Sequence, residues 1–298
     1  MPLIAKWVTI CLLLSPIYSY SQESILAVLS SDNRIHKKFY SSLEAELYDN
    51  AKIVKVTASD VSYEMLNQHD FIVTIGTHAA KIVSEYKVKS SVVHSLIPDN
   101  ESTHFNSPCR NDSCYYVYIN QPAIRYTKLF KILFPQEKTM VLVTTKTDTK
   151  LARNLKKSSK ITDVTYKEIT IQKDGNIARI FTNKLSQNDV LLALPNTAIY
   201  NSKNAKSILL STYHKNVPII AYSKAFVKAG AIAGLYSSVD HIATKTSKLI
   251  NEIIKHGQHK QKDHYPDDFT VEVNLAVANS LGINILSENI IKEKLNDN

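Results

Sequence analysis

Short apolar runs alternate along the chain with stretches whose apolar residues recur every three or four positions. A short apolar run is typical of a strand buried on both faces, and the wider spacing is typical of an amphipathic helix. On this basis, strands are predicted at residues 24–29, 51–56, 71–75, 90–96, 139–145, 164–171, 190–194 and 217–221. Helices are predicted at residues 33–47, 126–133, 177–185, 204–213, 242–257 and 275–281.

Strands that alternate with helices indicate parallel sheets covered by helices on both faces. Two successive sets of such units predict an α/β protein made of two doubly wound parallel-sheet lobes. A single closed barrel of parallel strands is the alternative, because its strands and helices alternate in the same way. Residues 101–120 interrupt the repeat and therefore favour two lobes.

The first 21 residues have the organisation of a secretory signal peptide. Lys6 precedes the apolar run 7–14, and Ser19 and Ser21 supply small side chains at the positions that signal peptidase reads. The run is shorter than the about 20 apolar residues that a membrane span requires. An uncleaved anchor or a buried N-terminal helix is the alternative. We predict cleavage after Ser21 and a periplasmic location.

Two cysteines, Cys109 and Cys114, remain beyond the predicted signal peptide. The segment between them is polar and turn-forming, and such a turn in an oxidising compartment favours a local disulfide. A metal site would need two further ligands nearby, and a redox pair usually has the Cys-x-x-Cys spacing. Neither feature is present in the sequence, so a disulfide between Cys109 and Cys114 is predicted.

The formal net charge of +9 raises the question of a nucleic-acid or anionic-membrane partner. The lysines are spread along the chain, however, and the densest group lies in the polar, His-rich segment 255–262. A solvated surface explains this distribution better than a nucleic-acid interface. No nucleic-acid partner is therefore predicted.

Motifs for catalysis are absent from the sequence. It contains no Gly-x-Ser-x-Gly elbow, phosphate-binding loop or His-Glu-x-x-His pair. His256, His259 and His264 suggest a metal cluster, but their basic neighbours favour a solvated loop instead. We therefore predict a non-catalytic protein with no metal site and no cofactor.

Five stretches, taken in order, resemble one known family. They are residues 70–80, 189–197, 217–236, 242–257 and 273–282. The chain is similar along them to the ABC-transporter substrate-binding proteins of type I periplasmic-binding fold, the group that includes tryptophan- and tyrosine-binding members. The sequence departs from the family pattern at residues 29–34, at 120–122 and around Ile242, and these departures bear on the ligand more than on the fold.

The resemblance implies two lobes joined by hinge crossovers. Residues 22–120 and 225–262 are assigned to lobe 1, and residues 121–224 and 263–298 to lobe 2. It also implies reversible capture of a small, amino-acid-like solute, with an aromatic amino acid as one candidate, for an inner-membrane ABC permease. A ligand-sensing partner of a signalling receptor and an exported α/β hydrolase or isomerase are the alternatives, because fold alone does not fix function.

Candidate ligand-binding residues lie at the C-terminal ends of predicted strands, where open α/β sheets bind their ligands. The turn Gly76, Thr77 and His78 opens a helix whose N–H groups suit a carboxylate or phosphate, although glycine could serve turn geometry alone. Asn196 and Thr197 form the matching turn in the other lobe, and Asn196 either contacts the ligand or caps a helix. The remaining candidates at strand ends are Ser30, Ser31, Ser223 and Tyr236.

Overall fold

Two six-stranded sheets carry the fold, and helices pack on both faces of each sheet. The computed structural model describes residues 23–49, 51–106, 109, 113–136, 138–146, 148–172 and 177–297. The predicted signal peptide lies outside these residues. None of the helices within the described ranges is long and apolar enough to cross a membrane.

The first sheet belongs to lobe 1, and all its strands are parallel. Its strands are β1 (Glu23–Leu29), β2 (Ala51–Thr57), β3 (Phe71–Ile75), β4 (Ser91–Ile97), β5 (Cys114–Tyr118) and β11 (Asp263–His264), in the spatial order β11-β5-β4-β3-β1-β2. Its helices are α1 (Arg34–Glu46), α2 (Tyr63–Asn67), α3 (Thr77–Ser84) and α9 (Val239–His256), together with a 3-10 turn at Glu101–His104.

The second sheet belongs to lobe 2 and ends in one antiparallel strand. Its strands are β6 (Thr139–Thr145), β7 (Thr165–Ile171), β8 (Asp189–Leu192), β9 (Ile219–Ala221), β10 (Ala233–Tyr236) and β12 (Thr270–Val273), in the order β12-β10-β9-β8-β6-β7. Its helices are α4 (Ala123–Leu133), α5 (Thr149–Ile161), α6 (Ile177–Lys184), α7 (Ala205–Tyr213), α8 (Lys224–Ala229), α10 (Leu275–Ser280) and α11 (Glu288–Asn296).

This architecture confirms the predicted α/β fold with two doubly wound lobes, and the single closed barrel is wrong. The strands form two separate open sheets instead of one closed sheet. Every residue of β3 is buried because helices cover both faces of its sheet. On one face, Phe39 and Leu43 of α1 pack in one cluster with Ile250 and Ile253 of α9. Burial of each such side chain contributes about 1.5–3 kcal/mol.

The chain crosses between the lobes three times, after β5, after β10 and between β11 and β12. The lobe boundaries predicted at residues 225 and 263 need correction. Strand β10 pairs with β9 and β12 in the second sheet, so residues 225–236 lie in lobe 2. Strand β11 pairs with β5, so residues 263–264 lie in lobe 1.

One hydrogen-bond network ties the crossovers together. The Nε2 of Gln121, in the first crossover, donates to the Oγ of Ser237 in the second over 2.7 Å. Ser237 Oγ donates in turn to the carbonyl oxygen of Asp268, in the third, over 2.5 Å. Arg125 Nη1 donates to Gln121 Oε1 and, over 3.4 Å, to the carbonyl oxygen of Pro266. The crossovers therefore meet at a common point.

The predicted disulfide is confirmed. Cys109 and Cys114 are joined, with an S–S distance of 2.09 Å and Cα atoms 5.7 Å apart. Both residues are buried in the cluster that packs under α3 and β4. The bond therefore joins Cys109 to the first residue of β5 within the lobe 1 core.

Candidate ligand-binding site

Side chains from both lobes meet at the carboxyl ends of the two sheets. Asn100 follows β4 of lobe 1, and its Nδ2 donates to Asp148 Oδ1 over 2.7 Å. Asp148 follows β6 of lobe 2, and its Oδ2 accepts from Nδ2 of Asn196, which follows β8, over 2.7 Å. Asn100 is 5% exposed and Asp148 is 2% exposed. We name these three side chains the interlobe bridge.

Asp148 is fixed within lobe 2 by its own loop. Its Oδ2 also accepts from the backbone N of Thr145 over 2.6 Å and from Thr145 Oγ1 over 2.9 Å. Its carbonyl oxygen accepts from the N–H of Ala152 in the first turn of α5. The carboxylate is therefore held in place by lobe 2 before Asn100 reaches it from lobe 1.

Asp99, the neighbour of Asn100, is a second buried carboxyl group and is 2% exposed. Its backbone N donates to Asn120 Oδ1 over 2.9 Å, and its Oδ2 accepts a long bond of 3.4 Å from the Tyr265 hydroxyl. Burial raises the pKa of Asp99 to about 6, against the opposing charge of Lys150. The nearby Asp148 raises that pKa further.

Three polar atoms in this region have no hydrogen-bond partner among the described residues. They are Asp99 Oδ1, Asn100 Oδ1 and Asn120 Nδ2. A buried polar atom without a partner costs about 1–3 kcal/mol, so native proteins rarely leave one unmatched. All three belong to the interlobe bridge or to residues next to it.

Tyrosines surround the bridge. Burial raises the pKa of Tyr200, and the adjacent Tyr222 and Asp148 raise it further. Burial likewise raises the pKa of Tyr126, with Asp99 adding to the rise. The Tyr200 hydroxyl has no partner in the described part of the chain. Large, half-polar rings of this kind provide flat contact area and a hydroxyl at low cost in conformational entropy.

Lys150 makes a further contact between the lobes. It lies on α5 of lobe 2, and its Nζ donates to Asp263 Oδ1 of lobe 1 over 2.8 Å. The same Nζ reaches the hydroxyl of Tyr118 over 3.2 Å and lies 5.2 Å from the centre of its ring. Lys150 therefore forms its ion pair with Asp263 and also lowers the pKa of Asp99.

The structure brings Ser30 and Gly76 together. Gly76 has φ of +92°, and a Cβ atom added to it would lie 2.7 Å from Ser30 Oγ and 3.0 Å from His36 Nε2. Ser30 Oγ accepts the N–H of Ala79 over 2.9 Å and so caps the start of α3. Glycine is therefore required at position 76 both by its φ and by the close approach of Ser30.

The other predicted site residues have varied surroundings. Thr77 is half-buried, whereas Ser31, His78 and Thr197 are exposed. Ser223 Oγ caps α8, and the Tyr236 hydroxyl donates to Glu272 of the neighbouring strand, so both are engaged within lobe 2. Asn196 joins the interlobe bridge, and its Oδ1 accepts from the N–H of Ala198 over 2.9 Å in a turn that precedes α7, so it does not cap a helix.

Sequence reasoning missed Asp99, Asn100, Asn120 and Asp148. A signal was present, because each follows the end of a strand, as Gly76 and Asn196 do. Among the described residues, no group of three or more His, Cys, Asp or Glu side chains is placed to hold a metal ion.

The sequence was compared with known families and proteins. A family model described as ABC transporter substrate binding protein matches residues 30–296 and confirms the predicted resemblance. A search by sequence among curated proteins gives no match.

Solved structures share the fold at low sequence identity. An ABC domain from Streptococcus pneumonia in complex with L-Trp has a TM-score of 0.61 and 19% identity, covering 92% of this chain and 98% of that chain. An open, ligand-free substrate-binding protein with adhesive properties from Clostridium difficile has a TM-score of 0.63 and 15% identity, and the match covers 89% of this chain and 96% of that chain. A periplasmic ribose ABC transporter structure from Conexibacter woesei has a TM-score of 0.54 and 8% identity, and the match covers 89% of this chain and 96% of that chain.

Proposed function

Because the chain belongs to the ABC transporter substrate-binding protein family, we propose that it captures a small, amino-acid-like solute between its lobes and delivers it to a membrane ABC permease. The family is one of binding proteins rather than enzymes, and it implies a small-molecule ligand, a permease partner and a location outside the cytoplasm. The amino-acid-like nature of the solute is the part that goes beyond family membership.

The observation that carries the proposal is the group of buried, unpartnered atoms beside the interlobe bridge. Asp99 Oδ1 and Asn100 Oδ1 can each accept a hydrogen bond, and Asn120 Nδ2 can donate one. An amino acid offers both donors and acceptors on two groups bonded to the same carbon, together with a side chain that can lie against tyrosine rings. The L-Trp complex of the Streptococcus pneumonia relative is consistent with such a ligand.

The three crossovers between the lobes provide the hinge that solute capture requires. Rotation about them separates the ends of the two sheets and opens the cleft, as in other hinge proteins. A solute bound first to one lobe then gains its remaining contacts when Asn100 reaches Asp148. Closure is therefore favoured by the ligand and by the interlobe bridge together.

We further propose that the chain reaches the periplasm through cleavage after Ser21. The basic and apolar start of the sequence supports this proposal. Intact-mass measurement of the exported protein should give the mass of residues 22–298 with the disulfide formed. A mass that retains the first 21 residues would contradict cleavage.

Ligand capture is tested by purifying the protein without denaturation and measuring its native mass for a co-purified solute. A thermal-shift screen of amino acids, amines, sugars and polyols follows on protein that has been unfolded, dialysed and refolded. A true ligand at a hundredfold excess over its Kd stabilises the native state by about 2.7 kcal/mol. X-ray scattering with that ligand should show a more compact particle. A complete lack of stabilisation across the screen would contradict the proposal.

Two variants examine the predicted turns. Thr77→Val and Asn196→Ala each remove a polar contact, at a cost of about 1–3 kcal/mol, which is roughly ten- to a hundredfold in Kd. Thr212→Val is the control, because Thr212 Oγ1 is engaged with the carbonyl oxygen of Ile208 within α7. Unchanged affinity in both turn variants would assign these turns to folding alone.

A further inference from the structure

We infer that the solute carries a protonated amine and that Asp99 is its counter-ion, with Asn100 and Asn120 completing the hydrogen bonds around it. The inference rests on the proposed function, since it assumes that the interlobe cleft is the binding site. It adds the charge of the ligand and names the residue that selects for it.

The first argument is the balance of charge around Asp99. Among the described residues, the titratable and charged groups that face it are Asp148, Lys150, Tyr126 and Tyr265. The one cation in this set, Lys150, forms its ion pair with Asp263 over 2.8 Å. Two carboxyl groups, each 2% exposed, therefore share one nearby cation, whose ion pair is with Asp263 rather than with either of them. Lys150 lowers the pKa of Asp99, but burial outweighs this effect.

The second argument is that the two carboxyl groups differ in how well they are satisfied. Asp148 accepts hydrogen bonds from Asn100, Asn196 and Thr145, which stabilise its negative charge. Among the described side chains, Tyr265 alone donates to Asp99, over 3.4 Å to Oδ2, beside the backbone N–H of Asn100, and Asp99 Oδ1 has no partner among the described residues. A buried carboxylate needs a charged or strongly donating partner. Asp99 is therefore the group that a cationic ligand would stabilise.

The third argument is hydrogen-bond geometry. Asp99 N bonds to Asn120 Oδ1, and Asn100 follows directly in sequence, so the three residues are neighbours. An ammonium group has three donors and no acceptor, which suits the free oxygens of Asp99 and Asn100. The free Nδ2 of Asn120 requires an acceptor on the same ligand, such as a carboxylate or carbonyl oxygen next to the amine.

Other ligand classes fit less well. A neutral sugar can hydrogen bond to Asp99 but leaves its buried charge without a counter-ion. A carboxylic acid that lacks an amine places a second negative charge beside Asp99 and Asp148, and like charges brought together at a binding site cost several kcal/mol. The cleft therefore selects for an amine first and for the rest of the solute second.

Binding should accordingly depend on pH. Burial raises the pKa of Asp99 to about 6, with Lys150 opposing the rise, and only the ionised form pairs with an ammonium group. Affinity should therefore be constant above that pH and fall about tenfold per pH unit below it. A solute without an amine would show no such loss of affinity on acidification.

The test is calorimetric titration of matched compounds at pH 7.5. Each set consists of an L-amino acid, its decarboxylated amine and its desamino acid, for example L-tryptophan, tryptamine and indole-3-propionate. D-ribose and myo-inositol are included as neutral compounds. We expect the tightest compound to carry an amine and to bind at least about a hundredfold tighter than its desamino counterpart. Asp99→Asn should lose about the same factor and should abolish the pH dependence.

Asp163→Asn is the matched control, because Asp163 is exposed at the opposite end of the lobe 2 sheet and pairs with Lys131. It should leave affinity unchanged. A desamino acid or sugar that binds as tightly as any amine would overturn the inference and leave solute capture intact. Unaltered affinity in Asp99→Asn would likewise overturn the inference and leave solute capture intact. If that variant does not fold, the compound series on the unmodified protein decides whether the solute must carry an amine. No binding by any compound contradicts both proposals.

Discussion

Asn100 and Asp148 are joined by a hydrogen bond of 2.7 Å, although the two residues belong to different lobes. Both are buried, so the bond exists only when the lobes are closed on one another. Hydrogen bonds to a charged group contribute about 1.5–3 kcal/mol. The free energy of this single hydrogen bond is therefore large enough to shift the equilibrium between the open and the closed protein.

Asn100→Ala should shift that balance toward the open form. The free energy that closure gains from the bond is lost, so the ligand must supply it, and affinity should fall by roughly ten- to a hundredfold. X-ray scattering at a fixed, subsaturating ligand concentration should show a larger average particle than the unmodified protein gives. Equal compaction and equal affinity would show that the bond is not coupled to closure.

The control for this variant is Asn274→Ala. Asn274 also donates its Nδ2 inside the protein, to the carbonyl oxygen of Val227 over 2.9 Å, but both residues lie in lobe 2. Its loss should lower the melting temperature and leave the ligand-dependent compaction unchanged. The comparison separates a contact between lobes from a contact within one.

Asp99→Asn should stabilise the ligand-free protein at neutral pH. The folded-state pKa of Asp99 is raised by burial from 3.8 to about 6, so the native state holds this proton to a higher pH than the unfolded chain does. The contribution of Asp99 to the free energy of unfolding therefore decreases as pH rises from about 4 to about 6. A shift of this size corresponds to about 3 kcal/mol.

Urea unfolding of both proteins across this pH range checks the prediction. The variant should exceed the unmodified protein by about 2–3 kcal/mol at pH 7.5, and the two should converge near pH 4. A variant that is less stable at neutral pH would show that the Asp99 carboxylate is well satisfied without a ligand. Loss of binding together with a gain in stability is typical of a residue kept for function.

Gly76→Ala should destabilise the fold more than Gly257→Ala. Both glycines have positive φ and extended ψ, at +92° and 165° for Gly76 and +82° and −155° for Gly257. That conformation costs other residues about 1–3 kcal/mol. Only at Gly76 would the new Cβ also meet Ser30 Oγ at 2.7 Å, whereas nothing lies within 4 Å of it at Gly257.

The difference between the two variants measures the cost of this close approach. We expect at least about 1 kcal/mol in urea unfolding, the usual cost of overpacking. Equal destabilisation would show that Ser30 moves aside freely.

The Cys109–Cys114 disulfide should contribute modestly to stability. It closes a segment in which the two cysteines are five residues apart, and so short a loop stabilises by about 2–3 kcal/mol at most on chain-entropy grounds. Thiol titration of the denatured, unreduced exported protein should find no free thiol, and replacement of both cysteines by serine should lower stability within this limit. Two titratable thiols would contradict the pairing.

The sequence predicted the bounds of a strand correctly where apolar residues run through the whole strand. The predicted strands at 71–75 and 139–145 have the bounds of β3 and β6, because burial on both faces leaves a continuous apolar pattern. Strand β10 was not predicted, since its residues AGLY are too few and too small to form such a run. Strand β11 consists of Asp263 and His264, and only its pairing with β5 identifies it.

The site was harder to predict for a different reason. The rule that ligands bind at strand ends selects many polar residues, and it does not tell which of them face the other lobe. Asn196 was selected and lies in the interlobe bridge, whereas Ser223 was selected by the same rule and caps a helix. Asp148 and Asn100 are separated by 48 residues, so no local pattern connects them.

The network of Gln121, Ser237 and Asp268 has a consequence for the membrane partner. Connections that are bonded to one another move together, which restricts how the two lobes rotate relative to each other. The outer faces of the lobes then follow a similar path whichever solute lies between them. A permease that contacts both faces would thus recognise the angle of closure, and one transporter can accept several cargoes without sensing their chemistry.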